Sequence, residues 1–190
     1  AIMRTFALRF VLKTEGISYF MIVPVIIFYV WSNLNFSDYQ FSLFLLCAAA
    51  AFVVSFITTQ INNMVAIAPI RNYFNKVLKN DDASDDDYER AHLRLIALPY
   101  VHGIGAFFRW IFGLSLVIVP MMIAGGTTAT QTFNLWMVVI INAPLGAVLY
   151  FLLTDLFVQK VLDTGVFPRW PRGKIKIRVN LFYKLTASII

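Results

Sequence analysis

The sequence predicts an all-α fold, a multi-span transmembrane helical bundle with short cytoplasmic helical extensions. Three observations carry that prediction. Of the 190 residues, 59% are hydrophobic and only 14% are charged, against about 45–50% apolar and about a quarter charged in ordinary soluble domains. Four apolar runs approach the roughly 20 residues that cross a bilayer. The 16 Lys and Arg residues keep to alternate connectors and the span ends beside them, as in a chain threaded back and forth through a membrane.

The first span is expected at about 17–34. Its apolar centre, Tyr19 to Trp31, is short, and it reaches spanning length with Gly16–Ser18 and Ser32–Leu34 in the interfacial zones. A basic flank with Arg4, Arg9 and Lys13 precedes it. The second span, about 41–61, leaves through the polar run "TTQINN" (58–63) into an amphipathic helical extension at 70–79. The third is expected at about 104–123. The fourth, about 135–158, runs into a second extension at 156–163. Both extensions carry Lys-Val-Leu, at Lys76–Leu78 and Lys160–Leu162, which suggests two repeated hairpins. Tyr29, Trp31 and Trp110 are placed at span ends, as an aromatic belt requires.

The chain opens on Ala1 rather than Met and closes with the basic Arg169–Lys184 stretch followed by about ten apolar residues. That ending is too short to span, so we expect a truncated fifth span from about 181. No small-residue cleavage site follows the first apolar run, which argues against a secretory signal peptide.

The connectors "SNLNFSDYQ" and "AGGTTATQTFN" contain neither Lys nor Arg. The positive-inside rule therefore puts the N-terminus, the 64–103 connector and the stretch after span four in the cytoplasm, and both short loops outside. Asp and Glu weigh little in that rule. This matters because six of the ten acids crowd into "DDASDDDYERAHLRLIALPYVHG", 81–103. Ser84 with Asp87 three residues later reads as a helix N-cap with a capping box, and Asp85, Asp86 and Glu89 then meet the positive end of the helix dipole. Asp86 and Arg90 form an i,i+4 pair. Pro99 is expected to end this helix at Leu98. A divalent-cation loop is the competing reading, and the run lacks both the ligand spacing and the glycine turn such loops need.

Candidate chemistry is sparse. Arg109 and Asp155 are the charges nearest the membrane, and antiparallel third and fourth spans would bring them to similar depth as a structural ion pair. Asn142, beside Pro144, is expected to hydrogen-bond across a helix interface. His92 and His102 have no facing carboxylate pair and are not read as metal or haem ligands; His102 is placed at the interface near Tyr100. Cys47 is a lone small packing residue. No cofactor is called for, and no nucleotide-binding loop or hydrolase motif is present. The basic, Trp-containing tail suits anionic lipid headgroups better than nucleic acid.

The stretch "PIRNYFNKVLKNDDASDDDYERAHLRLIALPYVHGIGAFFRW" (69–110) resembles the connector in the membrane region of bacterial class III adenylate/guanylate cyclases. The matching features are Pro69-Ile70-Arg71, the Ser84–Asp87 helix start, the Ala91–Pro99 helix end and Arg109-Trp110. The later "TDLFVQKVLDTGVFP" is similar to the second membrane exit of that family. The resemblance implies a bacterial inner-membrane location, a homodimer, a HAMP linker and a cyclase output domain further along the same chain. The expected role is then anchoring and signal relay for that domain. The alternative is a transporter or channel subunit, against which the sequence sets a low intramembrane polarity, with Asn142 its one deep, strongly polar residue.

Overall fold

The computed structural model describes residues 2–79 and 81–168. Its order is α1 (Ile2–Ile17), a π-turn (Ser18–Ile22), α2 (Val23–Asn33), α3 (Asp38–Lys79), α4 (Asp85–Ala124) and α5 (Ala129–Leu162). No strand occurs among the described residues. α1, the π-turn and α2 follow one another without a loop, so four rods run up and down in two hairpins. The expected fifth span and the basic tail from Arg169 lie outside the described residues.

Three helices, α3, α4 and α5, are long and apolar enough to cross a membrane. Each contains one expected span. The 42 residues of α3 measure about 63 Å at 1.5 Å per residue, roughly twice a hydrocarbon core, so the predicted extension at 70–79 is simply its continuation. The first expected span is different. α2 has only 11 residues, and the stretch expected as a basic flank is itself helical, with Phe6, Phe10, Thr14 and Glu15 buried while Arg9 and Lys13 face out.

The connector is correspondingly shorter than its sequence suggests. The capping box forms as expected: Asp87 N–H donates to Ser84 Oγ at 3.1 Å and Ser84 N–H donates to Asp87 Oδ2 at 3.2 Å. Pro99, however, does not end the helix, and α4 continues from Asp85 to Ala124 through both Pro99 and Pro120. A proline removes one helical hydrogen bond and crowds the preceding turn. Here Leu95, Leu98 and Pro99 are all buried, so packing holds the helix across the defect.

The surface is inverted relative to a water-soluble protein. Phe20, Ile57, Val65, Ile104, Phe108, Ile123, Phe133 and Leu145 are all more than half exposed, while Glu15 is 3% exposed. Apolar faces this extensive are compatible with contact with lipid. Two apolar clusters fill the interior, one toward the 79–85 turn around Phe6, Phe74, Leu95 and Phe157, the other toward the opposite loops around Val30, Phe44, Met121 and Leu135. The polar groups lie between them.

The two hairpins repeat, though not in the register of Lys-Val-Leu. Gln40 and Gln131, 91 residues apart, are the third residues of matching caps. Gln40 N–H donates to Ser37 Oγ and Gln131 N–H to Thr128 Oγ1. Each Gln side chain then crosses to the other loop: Gln40 Nε2 donates to Gly125 O at 3.0 Å, and Gln131 Nε2 to Leu34 O at 3.1 Å. Asn35 and Gly126, at the same spacing, both have positive φ, 46° and 57°. Burial agrees, pairing Val30 with Met121, Phe44 with Leu135, Thr59 with Tyr150 and Asn63 with Thr154. Lys-Val-Leu is out of this register by two helical turns. Upstream of the π-turn the spacing lengthens by one residue, and Phe6, Phe10 and Thr14 then match the buried Leu98, His102 and Ala106. The π-turn, which holds one more residue than an α-turn would, is that insertion.

Candidate functional site

Glu15, in the last turn of α1, is the only acid before Asp38, and it is enclosed by three helices. Its Oε1 accepts from Asn63 Nδ2 of α3 at 3.2 Å and from Arg109 Nη1 of α4 at 3.3 Å. Its Oε2 accepts from the Tyr150 hydroxyl of α5 at 2.7 Å. The side chains of Arg109 and Glu15 are 17% and 4% exposed. The same Arg109 nitrogen donates to Thr59 Oγ1 at 2.7 Å, and the guanidinium lies 4.7 Å over the Tyr150 ring. Two charges out of water need this much hydrogen bonding to persist.

The network continues through histidine. Because Asn63 turns its amide nitrogen to Glu15, its Oδ1 faces His102, whose Nε2 lies 2.6 Å away and must donate. That leaves Nδ1 as the acceptor, with Thr154 Oγ1 at 3.4 Å. Phe10 closes the other side of the ring, 4.7 Å between centroids. One connected chain, Thr154–His102–Asn63–Glu15–Arg109–Thr59 with Tyr150 on the carboxylate, thus joins all four rods at one level.

Several expectations change here. Arg109 does not pair with Asp155. Gly103 faces Ala147 and Phe151, and Gly146 faces Trp110, which sets Arg109 level with Tyr150 and leaves Asp155 about 7 Å further along α5, five residues at 1.5 Å each. Asp155 instead accepts from Gln159 Nε2 at 2.6 Å, one turn on. Among the described residues Asn142 makes no interhelical bond; its Nδ2 donates to Val138 O of its own helix at 2.8 Å. His102 is not interfacial but 5% exposed within the bundle. Trp110 leaves the expected belt and packs on Gly146, where a Cβ would collide with its ring. Glu15 was hidden in what reads as a basic flank. The signal that could have found it is a single acid abutting an apolar run.

Beside the network lies a cavity of about 120 Å³ between α2, α3 and α4. Ile26, Phe44, Ala48 and Val117 wall it, Tyr19 and Trp110 present aromatic rings, and Thr59 and Arg109 form its polar end.

At the far end, beyond α5, the chain turns through Gly165 (φ 70°) and returns Phe167 into an aromatic box. Its ring stacks on His92 at 4.8 Å and on Tyr73 at 5.4 Å, with Tyr88 at 5.5 Å. Nearby, Lys76 Nζ donates to Asp87 Oδ2 at 2.6 Å, tying α3 to the capping box. Those bonds, first from Lys76 and then from Ser84, hold the Asp87 carboxyl below its ordinary value. Among the described residues no three His, Cys, Asp or Glu side chains come together as a metal-ligand set.

Fold and site together define an all-α bundle compatible with a multi-pass membrane protein, built of two hairpins around a buried ion pair. No family model matches the chain, and neither the curated proteins nor the solved structures compared with it give a match.

Proposed function

We propose that this chain is the membrane-embedded relay region of a larger bacterial signalling protein, in the inner membrane with its N-terminus cytoplasmic. It anchors a homodimer, contacts anionic headgroups through its basic tail and passes changes in helix packing to a downstream domain. The observation that carries this reading is the continuity of α5. Tyr150 and Thr154 belong to the central network, Phe157, Val158 and Val161 follow within two turns in the apolar cluster, and Phe167 then locks the departing chain to α3 and α4. A shift at the network therefore moves the exit of the chain. The cyclase resemblance of residues 69–110 and 154–168 supplies the output, synthesis of a cyclic nucleotide.

Transport is the second reading, and the structure adds an argument for it. The sequence reading gave the interior only one strongly polar residue, whereas Glu15, Asn63, His102 and Arg109 are all inside, and intramembrane ionisable groups often mark an ion path. Their bonding to one another favours relay, since each side chain fixes the next across a helix interface.

The deciding experiment is to express the complete gene product and assay cyclic-nucleotide formation from ATP and GTP, with and without residues 1–190 and with Glu15→Gln. Activity that depends on the membrane region and shifts with Glu15→Gln supports relay. A reading frame with no soluble domain, together with ion flux in proteoliposomes abolished by Glu15→Gln, replaces it with transport.

A further inference from the structure

We infer that the cavity between α2, α3 and α4 binds a neutral lipophilic carbonyl compound, its apolar body among the aliphatic and aromatic walls and its carbonyl oxygen at Arg109 and Thr59. The space, about 120 Å³, is several times the roughly 10–15 Å³ that one water needs. Its walls, however, offer water few partners, and an apolar cavity stays dry or takes an apolar guest. Phe52 belongs both to the wall and to the exposed apolar surface, at 41% exposure, so the guest can arrive from the lipid phase.

The charge of the guest follows from the pair at the polar end. Arg109 is already neutralised by Glu15 at 3.3 Å. A carboxylate or phosphate head would make a buried site of net charge −1, and an uncompensated buried charge is strongly disfavoured. A neutral acceptor meets no such penalty. The bonds of the guanidinium to Glu15 and Thr59 both use Nη1, one of three nitrogens that share five donors, which leaves donor capacity for a carbonyl. Tyr19 and Trp110, a pair related by the 91-residue repeat, line the cavity and suit an aromatic or planar ring. A quinone ring on an apolar tail satisfies every requirement; the ester carbonyl of a phospholipid satisfies all but the planar one. The repeat also accounts for the space on this side. Trp110 covers Gly146 on its side, whereas the matching position on α3 is Ser55, and Tyr19 packs past it against Phe52 at 4.9 Å.

This site goes beyond the relay reading and does not need it. The test uses the purified chain in phosphatidylcholine nanodiscs, titrated with decylubiquinone while tryptophan fluorescence is followed. Saturable quenching is expected in the parent and in Leu46→Phe, which points outward. Binding should weaken roughly tenfold or more in Ala48→Phe and, independently, in Ala51→Leu, each of which fills the cavity. Quenching that rises in proportion to quinone and is the same in all four proteins overturns the site. So does displacement of decylubiquinone by palmitate more effectively than by methyl palmitate, because the head would then be anionic. Native mass spectrometry distinguishes the sources: a retained phospholipid that decylubiquinone fails to displace, and that the filled variants lose, assigns the carbonyl to a lipid ester.

Discussion

Glu15 accepts three hydrogen bonds and faces one guanidinium, so its removal exposes the cost of the partner it leaves behind. Glu15→Gln keeps the size of the side chain but leaves Arg109 without a counter-charge, which should destabilise the bundle by about 3–5 kcal/mol. Unfolding in detergent measures this. The double variant Glu15→Gln/Arg109→Met should lose less than the single one, since no unpaired charge remains; a larger loss would mean that Arg109 stabilises by packing rather than by its charge. Asp87 gives a pH test outside the span. Its folded pKa is depressed, so its contribution is complete above the ordinary carboxylate value and is lost as pH falls through the folded value. Amide protection at 84–90, relative to the unstructured chain at the same pH, should therefore fall below about pH 4, the ordinary Asp range, and Asp87→Asn should show low protection at pH 7 with no further fall in acid. The capping box was legible because Ser-x-x-Asp is a local pattern. The ion pair was not, because which acid reaches Arg109 depends on how α1 docks, and nothing in its neighbourhood along the chain encodes that.

Among the elements, α4 and α5 meet through glycines. Gly103 lies under Ala147 and Phe151, and Gly146 lies under the Trp110 indole. Gly146→Val places a branched carbon where that ring sits and should cost about 1–3 kcal/mol through overpacking, read as a lower unfolding temperature. It should also push Trp110 toward the cavity, seen as a shifted emission maximum; an unchanged maximum would contradict the packing described. Three of the four expected spans were readable because each is a long apolar run. The stretch before the first was read only as a flank because α1 is amphipathic: Arg9 and Lys13 face out, while Phe6, Phe10 and Thr14 on the same helix face the core. Pro99 misled for a related reason. Its local preference to end a helix is real, and burial of the surrounding turn overrides it.

For the whole molecule, topology is the outstanding quantity. In a Cys47→Ser background, Asp81→Cys and Thr127→Cys should react with an impermeant maleimide from opposite faces of inverted and right-side-out vesicles. Labelling of both from one face would overturn the two-hairpin insertion. The alternation of Lys and Arg carries this expectation, since charge distribution is a property of the linear chain. The repeat was only half readable, because its register lies in the caps and in burial rather than in the Lys-Val-Leu match.

The π-turn at Ser18–Ile22 has a consequence for the symmetry of the interior. Two equal hairpins would pack as interchangeable halves, each blind to which came first. An extra residue held in a π-turn is absorbed where it stands, so the helix before it keeps the facing of its counterpart although the chain is one residue longer. The turn lies between Glu15 and the rest of the first hairpin. Glu15 and Phe107, 92 residues on, therefore occupy matching places, and the bundle acquires a left and a right through the side chain each half puts there. A chain shortened by one residue within 18–22 should run as an unbroken α-helix and keep Glu15 beside Arg109.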